Sequence, residues 1–268
     1  SMIMAYFFYK SYTASKIHTI ANNIERQVFL ARIAEKNFVK NDLIDTNFHR
    51  TGTSDHLEEN RVHISNVRTE ILDLIKLWPK VKERQTEKLL TLSDQYRDLF
   101  SEIVKTYREI GFKDWGLLGE WRQAIHSVER TVPQANHSAF HEAILQLRRL
   151  EKDYLLRGDE KYLQEIKTQL TLLHYLISEI DNIDRTVTLQ EIGRYEETFE
   201  NYLMLERKIG RTEQEGLQKD FAAVIAEMKP VIDHIYSEAR DENHKARQAL
   251  IAASIIIYLL GFILGGIG

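Results

Sequence analysis

Apolar residues recur at spacings of three and four along most of this chain, which is the period of an amphipathic α-helix. The breaks in the pattern are a Thr- and Asn-rich stretch at 43–54, Trp78-Pro79, Gly111–Gly116 and Pro133. Helices are therefore predicted over residues 10–43, 55–77, 81–110, 117–132, 137–157, 159–182, 188–209 and 213–262. Pro230 lies inside the last of them and is expected to kink it.

Three helix starts carry capping signatures. Asp159 follows Gly158 and can accept a hydrogen bond from the first turn of the helix that follows. Thr188 and Thr212 are each followed three residues later by a glutamate, which is the pattern of a capping box. We therefore predict that these three residues are N-caps.

Residues that form turns are scarce. The chain has 3 prolines and 12 glycines in 268 residues, and four of the glycines fall in the last eight positions. β-Sheets need frequent turns, which draw on glycine and proline. The predicted fold class is all-α, with long helices and few connections.

Charge and cysteine content exclude several classes of function. Lys and Arg total 36 against 40 Asp and Glu, so the chain lacks the basic excess typical of a nucleic-acid partner. The absence of cysteine excludes disulfides, thiolate metal sites and a cysteine nucleophile. His137 and His141 are one turn apart but lack a third ligand at a useful spacing. Neither a nucleotide-binding loop nor a hydrolase motif is present, and we expect no enzyme activity and no cofactor.

The C-terminal residues 249–268 form a stretch of 20 residues without a charge. About 20 apolar residues are needed for a helix to cross a bilayer. This stretch is predicted to be a transmembrane span that is truncated at residue 268. The apolar and aromatic residues 1–9 are predicted to be the remnant of a first span.

The chain also repeats itself. Arg32, Glu35, Lys36 and Phe38 recur as Arg148, Glu151, Lys152 and Tyr154, at an offset of 116. Tyr96, Phe100 and Gly111 recur at an offset of 99, and Gly116 and Trp121 recur at an offset of 100 as Gly216 and Phe221. The repeat predicts two similar halves, about 10–132 and 133–248. Each would be a four-helix bundle module, and the two would be stacked and share long helices.

The segments 145–162, 116–129 and 31–39 resemble the helical bimodular sensor domain of bacterial methyl-accepting chemotaxis receptors, over roughly residues 10–248. The resemblance implies a ligand-binding sensor between two spans of the inner membrane, on its periplasmic or outer side. It also implies a homodimer in the membrane and a small-molecule ligand such as an organic acid. Two alternatives remain open: the sensor domain of a histidine kinase that reads a ligand or a binding protein, and a tail-anchored helical scaffold without a ligand.

Arginines near the apolar seams are the candidate ligand contacts. Arg32 and Arg148 each precede a glutamate by three residues, so each pair shares one helix face. A guanidinium facing the bundle interior could hold a carboxylate with two hydrogen bonds. The candidates are Arg26, Arg32, Arg148 and Arg149. The alternative interpretation is a set of surface ion pairs of little energetic weight.

Overall fold

The computed structural model describes residues 2–78, 83–133 and 137–265, without the side chains of residues 83, 84 and 263–265. These residues form α-helices and one short 3₁₀ turn, with no β-strand among them, which confirms the all-α class. The helices are α1 (Met2–Asn41), α2 (Thr46–Thr51), α3 (Asp55–Leu77), α4 (Glu83–Ile110), α5 (Gly116–Thr131), α6 (Ser138–Arg157), α7 (Glu160–Glu179), α8 (Arg185–Ile209) and α9 (Gly216–Gly265).

Several helix bounds differ from the prediction. Helix α1 begins at Met2, so the apolar residues 2–9 are its first turns. The predicted break at 43–54 contains the short helix α2, which Asp45 caps at its start and Gly52 ends. Helix α3 ends at Leu77 as predicted. The described residues do not include Pro79 or the predicted helix start at residue 81. They also do not include residue 1 of the first predicted span or residues 266–268 of the second.

The capping predictions have mixed outcomes. Asp159 is the N-cap of α7 as predicted, and its side chain accepts from Lys161 N at 2.9 Å. Thr188 is not an N-cap, because Asp184 caps α8 one turn earlier and leaves Thr188 inside the helix, where its hydroxyl donates to the Asp184 carbonyl. Thr212 is not an N-cap either. It accepts from Gln214 N within a turn, and α9 begins only at Gly216.

The chain forms two compact units, and each is assembled from separate stretches. Unit 1 comprises Ser1–Asp42, Thr53–Glu102 and Asp220–Gly268, and unit 2 comprises Leu43–Gly52 and Ile103–Lys219. These units differ from the consecutive halves 10–132 and 133–248 that the repeat predicts. The difference arises because α4 and α9 each contribute residues to both units.

In unit 1, helices α1 and α3 pack along a seam of small and branched residues. The buried positions of α1 fall mostly three, four or seven apart and are Ala14, Ile17, Ile20, Ala21, Ile24, Ala31, Ala34, Glu35 and Phe38. The buried Asn60 of α3 donates to the Ala31 carbonyl at 2.8 Å and to the Tyr96 hydroxyl at 2.9 Å. An aromatic group of Tyr96, Phe100 and Phe221 completes the core, with ring centroids 4.8–6.2 Å apart.

Unit 2 has the matching arrangement. Helix α5 packs on α8, and α6 packs on α7. Its aromatic group is Trp121, Tyr195 and Phe199, with centroids 4.7–6.3 Å apart. Tyr195 and Phe199 are the repeat equivalents of Tyr96 and Phe100, and Trp121 is the equivalent of Phe221. The sequence repeat therefore corresponds to a repeated core.

Helix α9 is the one helix among the described residues that is long and apolar enough to cross a membrane. Its C-terminal turns leave large apolar side chains more than half exposed, among them Ile251, Ile255, Tyr258 and Phe262. A helix that is apolar around its circumference and exposed in this way is suited to lipid. The helix continues through Pro230.

Gly210 gives a test of the turn that precedes α9. It has φ +84°, and a Cβ at this position would collide with the backbone of Glu215. We expect Gly210→Ala to lower the free energy of unfolding by more than about 1 kcal/mol, because alanine does not tolerate this conformation. Urea unfolding of the detergent-solubilised chain, followed by circular dichroism, measures the change.

Gly193 is the matched control, since it lies inside α8 and a Cβ there would meet no atom within 4 Å. Gly193→Ala is expected to raise stability by up to about 1 kcal/mol, because alanine is the better helix former. A loss of stability in both variants, or in neither, would contradict this interpretation of the turn.

Candidate functional site

The candidate site lies in unit 2, around the second copy of the Arg-x-x-Glu-Lys block. Helix α6 carries Arg148 and Glu151 on one face. The Tyr195 hydroxyl of α8 donates to Glu151 Oε1. Arg148 Nη1 donates instead to Glu129 Oε1 of α5 at 3.0 Å, and His126 Nδ1 lies 2.9 Å from the other oxygen of Glu129. Side chains from three helices therefore meet at this point.

Two of these side chains, Arg148 and Glu151, line a cleft of about 250 Å³. Its walls are apolar and include Phe112, Trp121, Ile125 and Leu155. Its charged lining residues are Lys113, Arg122, Arg148, Lys152 and Glu151. Four cations thus surround the cleft, and Glu151 is the acidic residue among its lining side chains.

The cationic lining is only partly neutralised by neighbours. Arg148 is paired with Glu129, and Arg122 is paired with the exposed Asp114 at 3.0 Å. Lys113 lies over the Phe112 ring and has φ +53°, a conformation that non-glycine residues seldom adopt. Unusual backbone geometry of this kind clusters at ligand-binding sites. The positive charge of the cleft favours an anionic ligand.

Trp121 supplies a second feature of the cleft. Its side chain is 97% buried, since only 3% of its surface is exposed. Burial and the Glu151 charge raise the pKa of Tyr195, and the smaller opposing effect of the interaction with the Trp121 indole N–H lowers it. The indole N–H is therefore directed to Tyr195 inside the core, and Trp121 contributes an apolar wall to the cleft.

The pKa values of Glu151 and Glu129 are shifted in opposite directions. Burial raises the pKa of Glu151 to about 7, against the opposing effects of the Tyr195 hydrogen bond and the charges of Arg148 and Lys152. Burial alone would also raise the pKa of Glu129, but the hydrogen bond from His126 and the contacts with Arg148 outweigh it and lower that pKa. At neutral pH, Glu129 is an anion and Glu151 is partly neutral.

In unit 1 the first copy of the block has the same residue types, but its arginine has a different partner. Arg32 forms its ion pair directly with Glu35, which also accepts from the Tyr96 hydroxyl at 2.9 Å. The Arg32 guanidinium lies over the Phe221 ring, 5.8 Å from its centroid. Burial raises the pKa of Glu35, against the charge of Arg32 and the hydrogen bond from Tyr96.

Unit 1 also has a cleft of about 250 Å³, beside this ion pair. Arg32 and Tyr96 line it together with Glu25, Lys229 and Asp233. Two cations and two acids balance in its lining, and Lys229 is itself paired with Asp233 at 3.3 Å. The cleft of unit 1 therefore lacks the positive charge of its counterpart.

The four arginines predicted from the sequence lie in different settings. Arg148 lines the cleft of unit 2, and the neighbouring Arg149 is exposed on α6 outside that lining. Arg32 lines the cleft of unit 1 but is engaged by Glu35. Arg26 is exposed on α1 and does not line that cleft.

Sequence reasoning missed the other cleft residues of unit 2. Lys113, Arg122 and Trp121 belong to the turn before α5 and to α5 itself, far from Arg148 along the chain. The repeat was the available signal for Trp121 and Tyr195, since both recur at fixed offsets. Among the described residues no three His, Asp or Glu side chains are grouped to hold a metal ion.

Comparisons of the chain with models of known protein families, with curated proteins and with solved structures found no match.

The raised pKa of Glu151 makes a prediction about stability. A carboxyl with a raised folded-state pKa contributes stability below its ordinary pKa, and this contribution is lost as the pH rises through about 7. Glu151→Gln removes this loss. We expect the fall in unfolding free energy between pH 5 and pH 8 to be smaller in the variant, by on the order of 2 kcal/mol. Urea unfolding at the two pH values measures it.

The control for this prediction is Glu197→Gln, a substitution at an exposed position of α8. It removes a carboxylate from the same unit and is expected to leave the pH dependence of the parent chain unchanged. Equal pH dependence in the parent, Glu151→Gln and Glu197→Gln would show that Glu151 is ionised in the ordinary range.

Proposed function

We propose that this chain is the sensor part of a bacterial transmembrane chemoreceptor and binds a small organic anion in the cleft of unit 2. One observation carries the proposal: Lys113, Arg122, Arg148 and Lys152 line a single cleft that has one acidic lining residue. The role is binding rather than catalysis. The binding unit lies outside the cytoplasmic membrane in this proposal, as in the receptors that the sequence resembles.

The cleft offers the groups that a carboxylate needs. The Arg148 guanidinium can provide two parallel N–H donors, a geometry that matches a carboxylate. The Trp121 ring provides an apolar wall. A volume of about 250 Å³ suits a small molecule rather than a peptide. An organic acid with a short apolar body fits this combination of charge and wall.

The proposed architecture is a pair of four-helix modules that share α4 and α9. The helices α1, α3, α4 and α9 supply unit 1, and α5–α8 supply most of unit 2. Support comes from the repeated hydrogen bond between a tyrosine and a buried glutamate, at Tyr96 and Glu35 in one unit and at Tyr195 and Glu151 in the other.

Helix α9 provides the route for a signal in this proposal. Its first residues belong to unit 2, and its apolar C-terminal turns are those suited to a bilayer. A ligand transmits a signal only if it binds two arrangements of the protein with different affinity. A homodimer is part of the proposal, since Phe29 and Ile33 lie one turn apart on α1 and are 63% and 41% exposed.

The proposal predicts a ligand-induced rise in melting temperature. We would screen the detergent-solubilised chain against acetate, lactate, malate and benzoate. An acid at 100 times its dissociation constant should stabilise the protein by about 2.7 kcal/mol. Titration calorimetry then gives the affinity of the acids that bind. Arg148→Ala is expected to weaken binding about 10- to 100-fold, because hydrogen bonds to charged groups are worth about 1.5–3 kcal/mol.

Arg149→Ala is the matched control. It removes the same side chain from the next position of α6, where the arginine is exposed, and binding should persist. Arg32→Ala should also retain binding, because Arg32 belongs to the balanced cleft of unit 1. Loss of binding in Arg149→Ala or Arg32→Ala with retention in Arg148→Ala would place the ligand elsewhere. Failure of all acids to bind would contradict the proposed function.

A further inference from the structure

Glu151 is an unexpected component of a cleft that favours anions. Its side chain lines the cleft beside Arg148 and Lys152, and a bound carboxylate would face it directly. The Tyr195 hydroxyl donates to Oε1, which leaves Oε2 as the oxygen available to an occupant. Two carboxylates cannot share such a space as anions without strong repulsion. A proton on one of them removes this repulsion and makes a hydrogen bond between the two carboxyl groups available.

The charged and titratable groups around Glu151 come from every neighbouring element. Helix α6 itself contributes two cations, α5 an anion with its histidine partner, and α8 a tyrosine with a glutamate beside it. Helix α7 packs on α6 through apolar side chains such as Ile166 and the buried Tyr162. The groups are Arg148, Lys152, Glu129, His126, Tyr195 and Glu196, together with Lys113 and Arg122 on the cleft wall.

Most of these groups have partners of their own. The Glu129 carboxylate contacts both Arg148 and His126. Glu196 Oε1 lies 3.0 Å from His174 Nε2. Arg148 is directed to Glu129 and not to Glu151, so no guanidinium is hydrogen-bonded to Glu151 in the described part of the chain. Glu151 is the acid of this group that both lines the cleft and lacks a cationic hydrogen-bond partner.

We infer that the cleft takes up one proton when it binds its organic anion, and that Glu151 holds this proton. This inference rests on the proposed function. The proton comes from solvent and adds to Oε2, and the resulting O–H donates to the ligand carboxylate. No bond of the ligand is made or broken. Glu151 thereby makes binding sensitive to pH and selects ligands with an acceptor at that position.

The electrostatics of the cleft agree with this inference. Burial raises the pKa of Glu151 to about 7, so the carboxyl is already partly protonated near neutral pH. A bound anion would raise its pKa further, because it adds a negative charge close by. The equivalent Glu35 of unit 1 does not line the described cleft of that unit and is bound directly by Arg32.

The test is the pH dependence of binding in the full chain. The probes are acetate, lactate, malate and benzoate, which are ionised throughout pH 6–8. We expect the affinity of an acid that binds to fall about tenfold from pH 6 to pH 8, because only the protonated form of Glu151 accepts the anion. Titration calorimetry in two buffers with different ionisation enthalpies should show uptake of about one proton per anion at pH 8 and about a tenth at pH 6.

Two variants locate the proton. Glu151→Gln keeps a neutral side chain of the same shape, so it should bind the acid with an affinity that does not change between pH 6 and pH 8 and without proton uptake. Glu35→Gln is the matched control in the other copy of the block. It should retain the pH dependence and the proton uptake of the parent chain.

The outcomes separate this inference from the proposed function. Binding with constant affinity and no proton uptake would overturn the inference and leave the anion site standing. Retention of the full pH dependence in Glu151→Gln would overturn the assignment to Glu151. If none of the acids binds at any pH, the proposed function and the coupling both fail. The calorimetric measurement on the parent chain decides the coupling even if a variant does not fold.

Discussion

A carboxyl group buried in a helical core needs a hydrogen-bond donor, and a tyrosine on another helix supplies it in both units. The hydrogen bond joins α1 to α4 through Glu35 and Tyr96, and α6 to α8 through Glu151 and Tyr195. Leaving either carboxyl without a donor would cost the full penalty of a buried unpaired group. This requirement fixes the register of the two helices, and the aromatic group beside each tyrosine packs in the same register.

The two units satisfy that requirement with the same residue types and obtain different sites. In unit 1 the arginine of the block turns to its own glutamate, and the result is a closed ion pair beside a cleft of balanced charge. In unit 2 the arginine turns to Glu129 of α5. Glu151 is then held by Tyr195 alone, and the cations of the cleft outnumber its acids. The partner of the arginine and the charge of the other lining residues together distinguish the structural cluster from the candidate binding site.

Helical content and most helix bounds could be predicted from the apolar period, but partners across helices could not. Arg148 and Arg149 are adjacent in sequence and point about 100° apart around α6, so only the packing of that helix distinguishes them. The repeat related Trp121 to Phe221 but placed each in its own half. In the structure, α4 and α9 each contribute residues to both units. As a result, Phe221 packs against Tyr96 in unit 1, and Trp121 packs against Tyr195 in unit 2. Thr188 lost its capping role because Asp184 precedes it by one turn.

Helix α9 contributes residues to both units and also contains the apolar C-terminal turns. Gln218 in its first turn donates to the Tyr107 hydroxyl at 3.1 Å and to the Gly210 carbonyl at 3.0 Å, which anchors that turn within unit 2. Phe221 follows one turn later and lies in the aromatic group of unit 1. In the proposed receptor, a ligand transmits a signal through α9 only to the extent that it binds two arrangements of this helix with different affinity.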